Sequence, residues 1–122
     1  MGMSQEKRRK RLRAEALRRR DTIPPAVRSD LSRQIVNRVI DWIEMNSVTA
    51  VMFYLSMRSE VETDGLLDYL LTHAKIALAP VVDMKQRALI PYRITNPQTE
   101  LVLHSYGMRE PNREVCSPFP PD

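Results

Sequence analysis

Two carboxylates lie in a short polar segment between an apolar run and a predicted helix, where α/β proteins commonly bind their ligands. Residues 48–55 are rich in β-branched and aromatic side chains, which is typical of a strand buried on both faces. The segment 56–62 follows and carries Glu60 and Glu62. In open α/β sheets, ligands bind outside the carboxyl ends of the strands. This segment is therefore the first candidate for a functional site.

The elements around this segment have the order strand, helix, strand. Thr63 and Asp64 can cap a helix that carries several leucines, and a second apolar run occupies residues 76–82. This order predicts two parallel strands, 48–55 and 75–82, joined by a right-handed crossover. We therefore expect an α/β fold, a three-layer α/β/α arrangement with a mainly parallel sheet, in which the strand 48–55 is central.

Two helices are predicted before the first strand. The first spans residues 5–20 within a basic segment, 1–22. Residues 1–20 hold nine basic and two acidic side chains, a net charge of +7, whereas the remainder has a net charge of −3. This split indicates a local anion site rather than a generally basic protein. The second helix begins at Pro25 and ends near Asn46, and its apolar stripe should pack on the sheet. The stripe consists of Val27, Leu31, Ile35, Val39, Trp42 and Ile43, with Val36 and Ile40 beside it.

The second half of the chain predicts shorter elements. A turn leads to a strand at residues 88–94, which can form a hairpin with the preceding run, and residues 112–122 should be an extended, poorly ordered tail because they contain three prolines. The length indicates a single domain, 1–122. With so few strands, the sheet should be incomplete at its C-terminal side and keep an edge that can pair with another chain.

Composition excludes several classes of protein. No window is apolar enough to span a membrane. The single cysteine, Cys116, permits neither an internal disulfide nor a cysteine metal cluster, which favours a cytoplasmic location. His73 and His104 lack the spacing of metal ligands, so no metal site is expected. The three glycines are scattered and do not form a loop that could cradle phosphates.

Four segments, in order, resemble the 5-formyltetrahydrofolate cyclo-ligase family, also called methenyltetrahydrofolate synthetases. They are the basic residues 9–13 followed by Leu17 and Arg20, the strand end and turn 54–63, the strand 75–80 that ends in proline, and the stretch 106–111. The family's opening lysine falls on Arg9, and Lys10 could replace it with a shift of register. The resemblance covers the N-terminal portion of the family. The family's second half, with its glycine-rich phosphate loop, is not found in these residues, so we expect the 122-residue chain alone to be inactive.

The resemblance implies a reaction and a set of site residues. In this family ATP, with Mg²⁺ bridging its phosphates, phosphorylates the formyl oxygen of 5-formyltetrahydrofolate. N10 of the folate then attacks the activated carbon, and loss of phosphate gives 5,10-methenyltetrahydrofolate. The implied ATP-binding residues are Arg9, Lys10, Arg11, Leu12 and Arg13. The implied substrate-binding residues are Leu55, Met57, Glu60 and Tyr106, with Glu60 accepting from two adjacent N–H groups of the pterin.

Other interpretations of the same residues stay open. Arg9 and Arg13 are four residues apart, so they share a helical face and can grip one polyphosphate, but such a helix can equally be a solvated cationic face or a nucleic-acid-binding arm. Glu62 is expected to help cap the following helix with Thr63 rather than to bind a ligand. Tyr106 could stack on the folate ring or be a core tyrosine. The chain could also be an inactive remnant that needs a partner chain, or self-associate through its sheet.

Overall fold

The central strand of the sheet is the second apolar run and not the first. The computed structural model describes residues 2–104 and 107–120. In it β1 (Ala50–Met52) pairs parallel to β2 (Ile76–Asp83), and β2 pairs antiparallel to β3 (Ala88–Ile94), in the order β1-β2-β3. The predicted parallel pair and the predicted hairpin are therefore confirmed, while the central place given to 48–55 is wrong. The α/β class is confirmed, with a sheet that is mixed rather than mainly parallel.

The first strand is short because a side chain takes over its backbone partners. Phe53 still donates its backbone N–H to the carbonyl of Leu78 at 3.0 Å. Beyond it, the carbonyl of Tyr54 accepts a hydrogen bond from the hydroxyl of Thr63 at 2.9 Å instead of continuing the ladder. The apolar run therefore leaves the sheet early and becomes the wall of a loop, which the sequence pattern did not predict.

Helices α2 (Pro25–Met45) and α3 (Asp64–Thr72) pack together against the sheet and form the core with β2 and β3. The core residues are Val36, Ile43, Leu66, Leu67, Tyr69, Leu70, Ala77, Ala79 and Ile94. Proline at the start of α2 suits the first helical turn, where the missing N–H would have no partner. Both helices lie where the sequence predicts them.

The rotation of α2 about its axis differs from the prediction. Ile43 is buried as expected, at 1% exposure, but Trp42 is 60% exposed. The other stripe residues Val27, Leu31, Ile35 and Val39 are exposed as well. The helix carries two neighbouring apolar stripes, and the one through Val36 and Ile43 is the one that faces the core. The prediction that the whole stripe packs on the sheet is therefore wrong.

Helix α1 (Gln5–Asp21) is exposed along its length and contributes no buried residue to the core. The hydroxyl of Ser4 accepts the N–H of Lys7 at its start, Glu6 lies in its first turn and three arginines lie in its last turn, so local capping and dipole effects support it. The predicted basic helix is confirmed. In the described ranges, no helix is both long and apolar enough to cross a membrane.

A second, smaller sheet lies beyond β3. Helix α4 (Pro97–Glu100) leads to β4 (Leu101–Leu103), which pairs antiparallel with β5 (Arg109–Pro111). The carboxylate of Glu110 accepts the backbone N–H of Val82 at 3.2 Å, so this sheet is joined to β2.

The chain after β5 is attached to the fold and is not a free tail. Backbone hydrogen bonds to Asn112 from Val115 and Cys116 form a turn, and Cys116 is buried. Arg93 then donates its backbone N–H to Ser117, and Phe119 donates to Pro91. The poorly ordered tail expected from residue 112 is therefore wrong for the part that the structure describes, because backbone pairing to β3 outweighs the effect of the prolines.

Candidate functional site

The loop of residues 56–63 is closed by two hydrogen bonds between its ends. Ser56 donates its backbone N–H to the hydroxyl of Thr63 at 3.0 Å, and Thr63 donates its backbone N–H to the hydroxyl of Ser56 at 3.1 Å. Thr63 precedes α3 but makes no side-chain capping bond to it. The predicted capping role of Thr63 is therefore wrong. Its hydroxyl instead joins the two ends of the loop to the strand end.

Glu62 anchors this loop to α2. Its carboxylate accepts hydrogen bonds from the hydroxyl of Ser29 at 3.0 Å and from Nε of Arg28 at 3.3 Å. Its backbone N–H donates to the buried hydroxyl of Ser32 at 2.9 Å. The contacts of Glu62 therefore do not support the expected role in capping α3. One of these partners, Ser32, lies one helical turn before the buried Val36, so the contacts of Glu62 agree with the side of α2 that faces the core.

Two arginines anchor the same loop to other elements. Arg20 on α1 donates its Nε–H to the buried hydroxyl of Ser59 at 2.9 Å, and that hydroxyl donates to the carboxylate of Asp21. Arg109 on β5 donates to the carbonyl of Ser56 at 2.9 Å and to Asp64 at 3.1 Å. Contacts to α1, α2, α3 and β5 therefore fix the loop, and a fixed loop can hold side chains ready for a ligand.

On one side of the loop lies a groove of about 220 Å³, which we call the apolar groove. It is lined by Tyr54, Leu55, Met57, Glu60, Pro80, Val82, Leu89, Met108, Arg109 and Glu110. A carboxylate oxygen of Glu60 accepts the backbone N–H of Met57 at 2.9 Å, which orients the side chain. The structure thus brings Leu55, Met57 and Glu60 together, as expected. Tyr106 lies outside the described residues.

On the other side lies a groove of about 460 Å³, which we call the cationic groove. It is lined by Arg13, Ala14, Ala16, Leu17, Arg20, Met57, Arg58 and Glu60. Three guanidinium groups and one carboxylate surround it, so it suits an anion.

Most of the predicted ATP segment does not line this groove. Arg13 lines it, and Arg9 lies one turn earlier on the same helical face. Lys10 is paired with Glu6 at 3.9 Å, Arg11 is paired with Glu15 at 3.3 Å, and Leu12 is exposed. Arg58 was missed by the sequence analysis. Arg20 belongs to the basic segment that resembles the family but was not assigned to ATP, and its seven-residue interval from Arg13, two helical turns, could have pointed to it.

The two grooves share Met57 and Glu60. Electrostatics links them too, as the pKa of Tyr54 shows: burial raises it most, the negative charge of Glu60 raises it further, and the positive charge of Arg20 lowers it. Charges from both grooves therefore act on one side chain of the apolar groove. A ligand in each groove would lie on either side of Met57 and Glu60.

Comparison with known proteins decides what kind of protein carries these grooves. The family model of the 5-formyltetrahydrofolate cyclo-ligase family matches residues 4–119. The chain belongs to the 5-formyltetrahydrofolate cyclo-ligase family. A solved structure supports the fold of this cyclo-ligase family member: the NMR structure of Aquifex aeolicus 5,10-methenyltetrahydrofolate synthetase superposes with a TM-score of 0.70 at 24% sequence identity. The match covers 84% of this chain and 50% of the other, so the chain spans about half the length of that structure. No curated protein matches the sequence.

The segments that resemble this cyclo-ligase family in sequence converge in space. The grooves take Arg13 from the basic segment and Pro80 from β2. From the strand end and turn they take five residues of the range 54–60, all but Ser56 and Ser59, and from the stretch that leads into β5 they take Met108 to Glu110. These segments are far apart along the chain. Their convergence on two adjoining grooves makes the grooves the candidate functional site.

Proposed function

We propose that the chain binds 5-formyltetrahydrofolate in the apolar groove and ATP in the cationic groove, for the ATP-dependent formation of 5,10-methenyltetrahydrofolate. The single observation that supports this proposal most is that the two grooves adjoin along Met57 and Glu60. A phosphoryl transfer between two ligands needs them side by side with their reacting atoms in line. Two separated grooves would not suit this reaction.

In the apolar groove, Glu60 is the residue proposed to recognise the pterin. A carboxylate can accept hydrogen bonds from two adjacent ring N–H groups. The carboxylate of Glu60 is already oriented, because it accepts the backbone N–H of Met57. Leu55 and Met57 offer apolar surface for the flat ring, as most small-molecule sites do. Arg109 holds the loop in place through the carbonyl of Ser56.

In the cationic groove, Arg13 is the residue of the predicted ATP segment proposed to neutralise phosphate charge. ATP gives its γ-phosphoryl group to the formyl oxygen, attack by N10 closes the ring, and phosphate leaves. The role proposed for this chain is to bind both ligands and to keep the formyl oxygen beside the phosphates. Such binding supplies proximity and electrostatic stabilisation.

Magnesium is implied by the use of ATP, and we propose that it needs no cluster of protein ligands here. Among the described residues, no three His, Cys, Asp or Glu side chains come together in a way that could hold a metal ion. Mg²⁺ is commonly bound through nucleotide phosphates with few protein ligands. We therefore propose that it enters with ATP, and we assign no residue of this chain to it.

Equilibrium binding of 5-formyltetrahydrofolate to the 122-residue chain tests the proposal. Wild-type protein should bind, and Glu60→Gln should raise Kd about tenfold or more, the effect of losing a charged hydrogen bond of about 1.5–3 kcal/mol. Glu114→Gln is the matched control, because Glu114 is exposed and away from both grooves, and its Kd should stay within about twofold. Absence of binding, or equal binding by Glu60→Gln, would contradict the proposal.

Turnover by the 122 residues alone is not expected. The β- and γ-phosphates need several donors at once, usually the backbone N–H groups of a glycine-rich loop, and Gly2, Gly65 and Gly107 cannot form one. The absorbance rise of methenyltetrahydrofolate in the presence of ATP, Mg²⁺ and 5-formyltetrahydrofolate measures this. Turnover at an ordinary enzyme rate would show that these residues hold the phosphates without such a loop.

We also propose a cytoplasmic location, which the single cysteine supports.

We propose as well that the isolated chain self-associates. The exposed stripe around Trp42 on α2 supports self-association, because an apolar patch of this kind is rarely left in water. Sedimentation of wild-type protein and of Trp42→Glu tests it. A monomer at every concentration would contradict the idea.

A further inference from the structure

The cationic groove contains two arginines that lie outside the ATP segment implied by the family resemblance. Arg20 comes from the last turn of α1, and Arg58 comes from the loop between β1 and α3. Together with Arg13 they approach the groove from two different elements of the fold. Convergence of guanidinium groups from separate elements is typical of sites that bind phosphate groups.

The side chain of Arg20 is held in place before any ligand arrives. Its Nε–H donates to Ser59, which is only 6% exposed, and Ser59 donates in turn to Asp21. A guanidinium that uses Nε in this way keeps four N–H donors on its two terminal nitrogens. Because the ordering of the side chain is already complete, binding an anion there costs less conformational entropy.

The spacing of the arginines favours a chain of phosphates over a single phosphate. Arg13 and Arg20 are seven residues apart, about 10 Å along the helix axis at 1.5 Å per residue. Three arginines line the groove with one carboxylate, Glu60, while Asp21 lies behind Arg20 through Ser59. A groove with one guanidinium held in place and two more along its length selects by geometry as well as by charge.

We infer that Arg20 and Arg58, together with Arg13, hold the polyphosphate of the nucleotide at the end of the groove beside Glu60, and that residues 9–12 contribute little. This inference rests on the proposed function for the identity of the nucleotide. It places the transferable phosphoryl group next to the residue proposed to bind the folate. It also assigns phosphate contacts to the loop, so that one loop serves both ligands.

Calorimetric titration of the 122-residue chain with sodium tripolyphosphate, and separately with MgATP, tests the inference. Arg20→Gln and Arg58→Gln should each raise Kd for both ligands about tenfold or more, because each removes charged hydrogen bonds. Arg38→Gln on α2 is the matched control, since it removes the same charge away from the groove, and its Kd should stay within about twofold. Inorganic phosphate should bind much more weakly than tripolyphosphate.

Two results would overturn the inference. One is that wild-type protein does not bind tripolyphosphate. The other is that the Kd for tripolyphosphate is the same for Arg20→Gln and Arg58→Gln as for Arg38→Gln. Arg20→Gln also loses the bond to Ser59, so circular dichroism should confirm that it is folded, and Arg58→Gln tests the groove without touching that bond. If tripolyphosphate binding depends on both arginines while 5-formyltetrahydrofolate does not bind, the phosphate site stands and the proposed function fails.

Discussion

The two grooves share Met57 and Glu60 but are built in different ways. The apolar groove is lined by residues of β2, β3 and β5 and by the strand end and loop, residues 54–60. The cationic groove is formed by one face of α1, a helix with no buried residue, and by the loop. One groove is therefore walled by strands of both sheets, and the other by a surface helix that polar contacts hold in place.

This difference indicates which interactions each groove depends on. The apolar groove should resist salt and respond to changes that loosen the loop. The cationic groove should respond to salt and to single arginines, because its wall is held on by bonds such as that from Arg20 to Ser59. The loop of residues 56–63 is the part that both grooves need, so changes to the loop should have the largest effects.

Thr63→Val should have the largest effect. It removes the hydroxyl that accepts from Ser56 and donates to Tyr54, and it leaves two part-buried backbone groups without partners. We expect about 2–4 kcal/mol of lost stability and weaker binding of both ligands. Urea unfolding measures the stability. The matched control is Thr72→Val, whose exposed hydroxyl contacts carbonyls of its own helix and Nδ1 of the adjacent His73, and it should cost under about 1 kcal/mol. Equal losses would show that the loop is not held by Thr63.

Arg109→Met should affect the apolar groove more than the cationic one. Arg109 holds the carbonyl of Ser56 and Asp64, and it lines the apolar groove. We expect Kd for 5-formyltetrahydrofolate to rise about three- to tenfold, while Kd for tripolyphosphate changes less than twofold. Arg93→Met, an exposed arginine on β3, is the control. If both Kd values rise together, Arg109 supports the whole loop and not one groove.

Salt should separate the grooves further. Raising NaCl from about 0.05 M to 0.5 M shortens the screening length several-fold, so the affinity for tripolyphosphate should fall several-fold. Affinity for 5-formyltetrahydrofolate should change less, because most of its groove is apolar. Parallel titrations at four salt concentrations measure both. Equal salt dependence would contradict the distinction between the grooves.

Arg11→Gln should have the smallest effect. Arg11 is exposed and paired with Glu15 on α1, and exposed pairs of this kind contribute about 0–1 kcal/mol. Kd for tripolyphosphate should change less than twofold. A nucleic-acid-binding arm would instead use every arginine of the helix, so it would lose as much from Arg11→Gln as from Arg13→Gln. That result would favour the nucleic-acid interpretation.

The sequence predicted the elements that local pattern controls. The apolar runs and proline signals predicted α2, the parallel pair and the hairpin. The family resemblance named Leu55, Met57 and Glu60 as substrate residues, and the structure brings these three side chains together in one groove. The rotation of α2 was not predictable, because two apolar stripes lie side by side and the contacts that distinguish them are long-range. They are core packing of Val36 and Ile43 and the bonds of Glu62 to Arg28 and Ser32, some thirty residues away. Arg58 was missed because it lies in a loop, and a loop residue has no periodicity that reveals which groove it lines.

The most direct test of the central claim, that one loop serves two ligands, is residue-resolved NMR on the ¹⁵N-labelled chain titrated with 5-formyltetrahydrofolate and then with MgATP. The amides of Met57 and Glu60 should shift with both ligands. Those of Val82 and Leu89 should shift with the folate, and those of Ala16 and Leu17 with ATP. Shifts of Met57 and Glu60 with one ligand alone, or a common set of shifts on α1 for both ligands, would contradict the account.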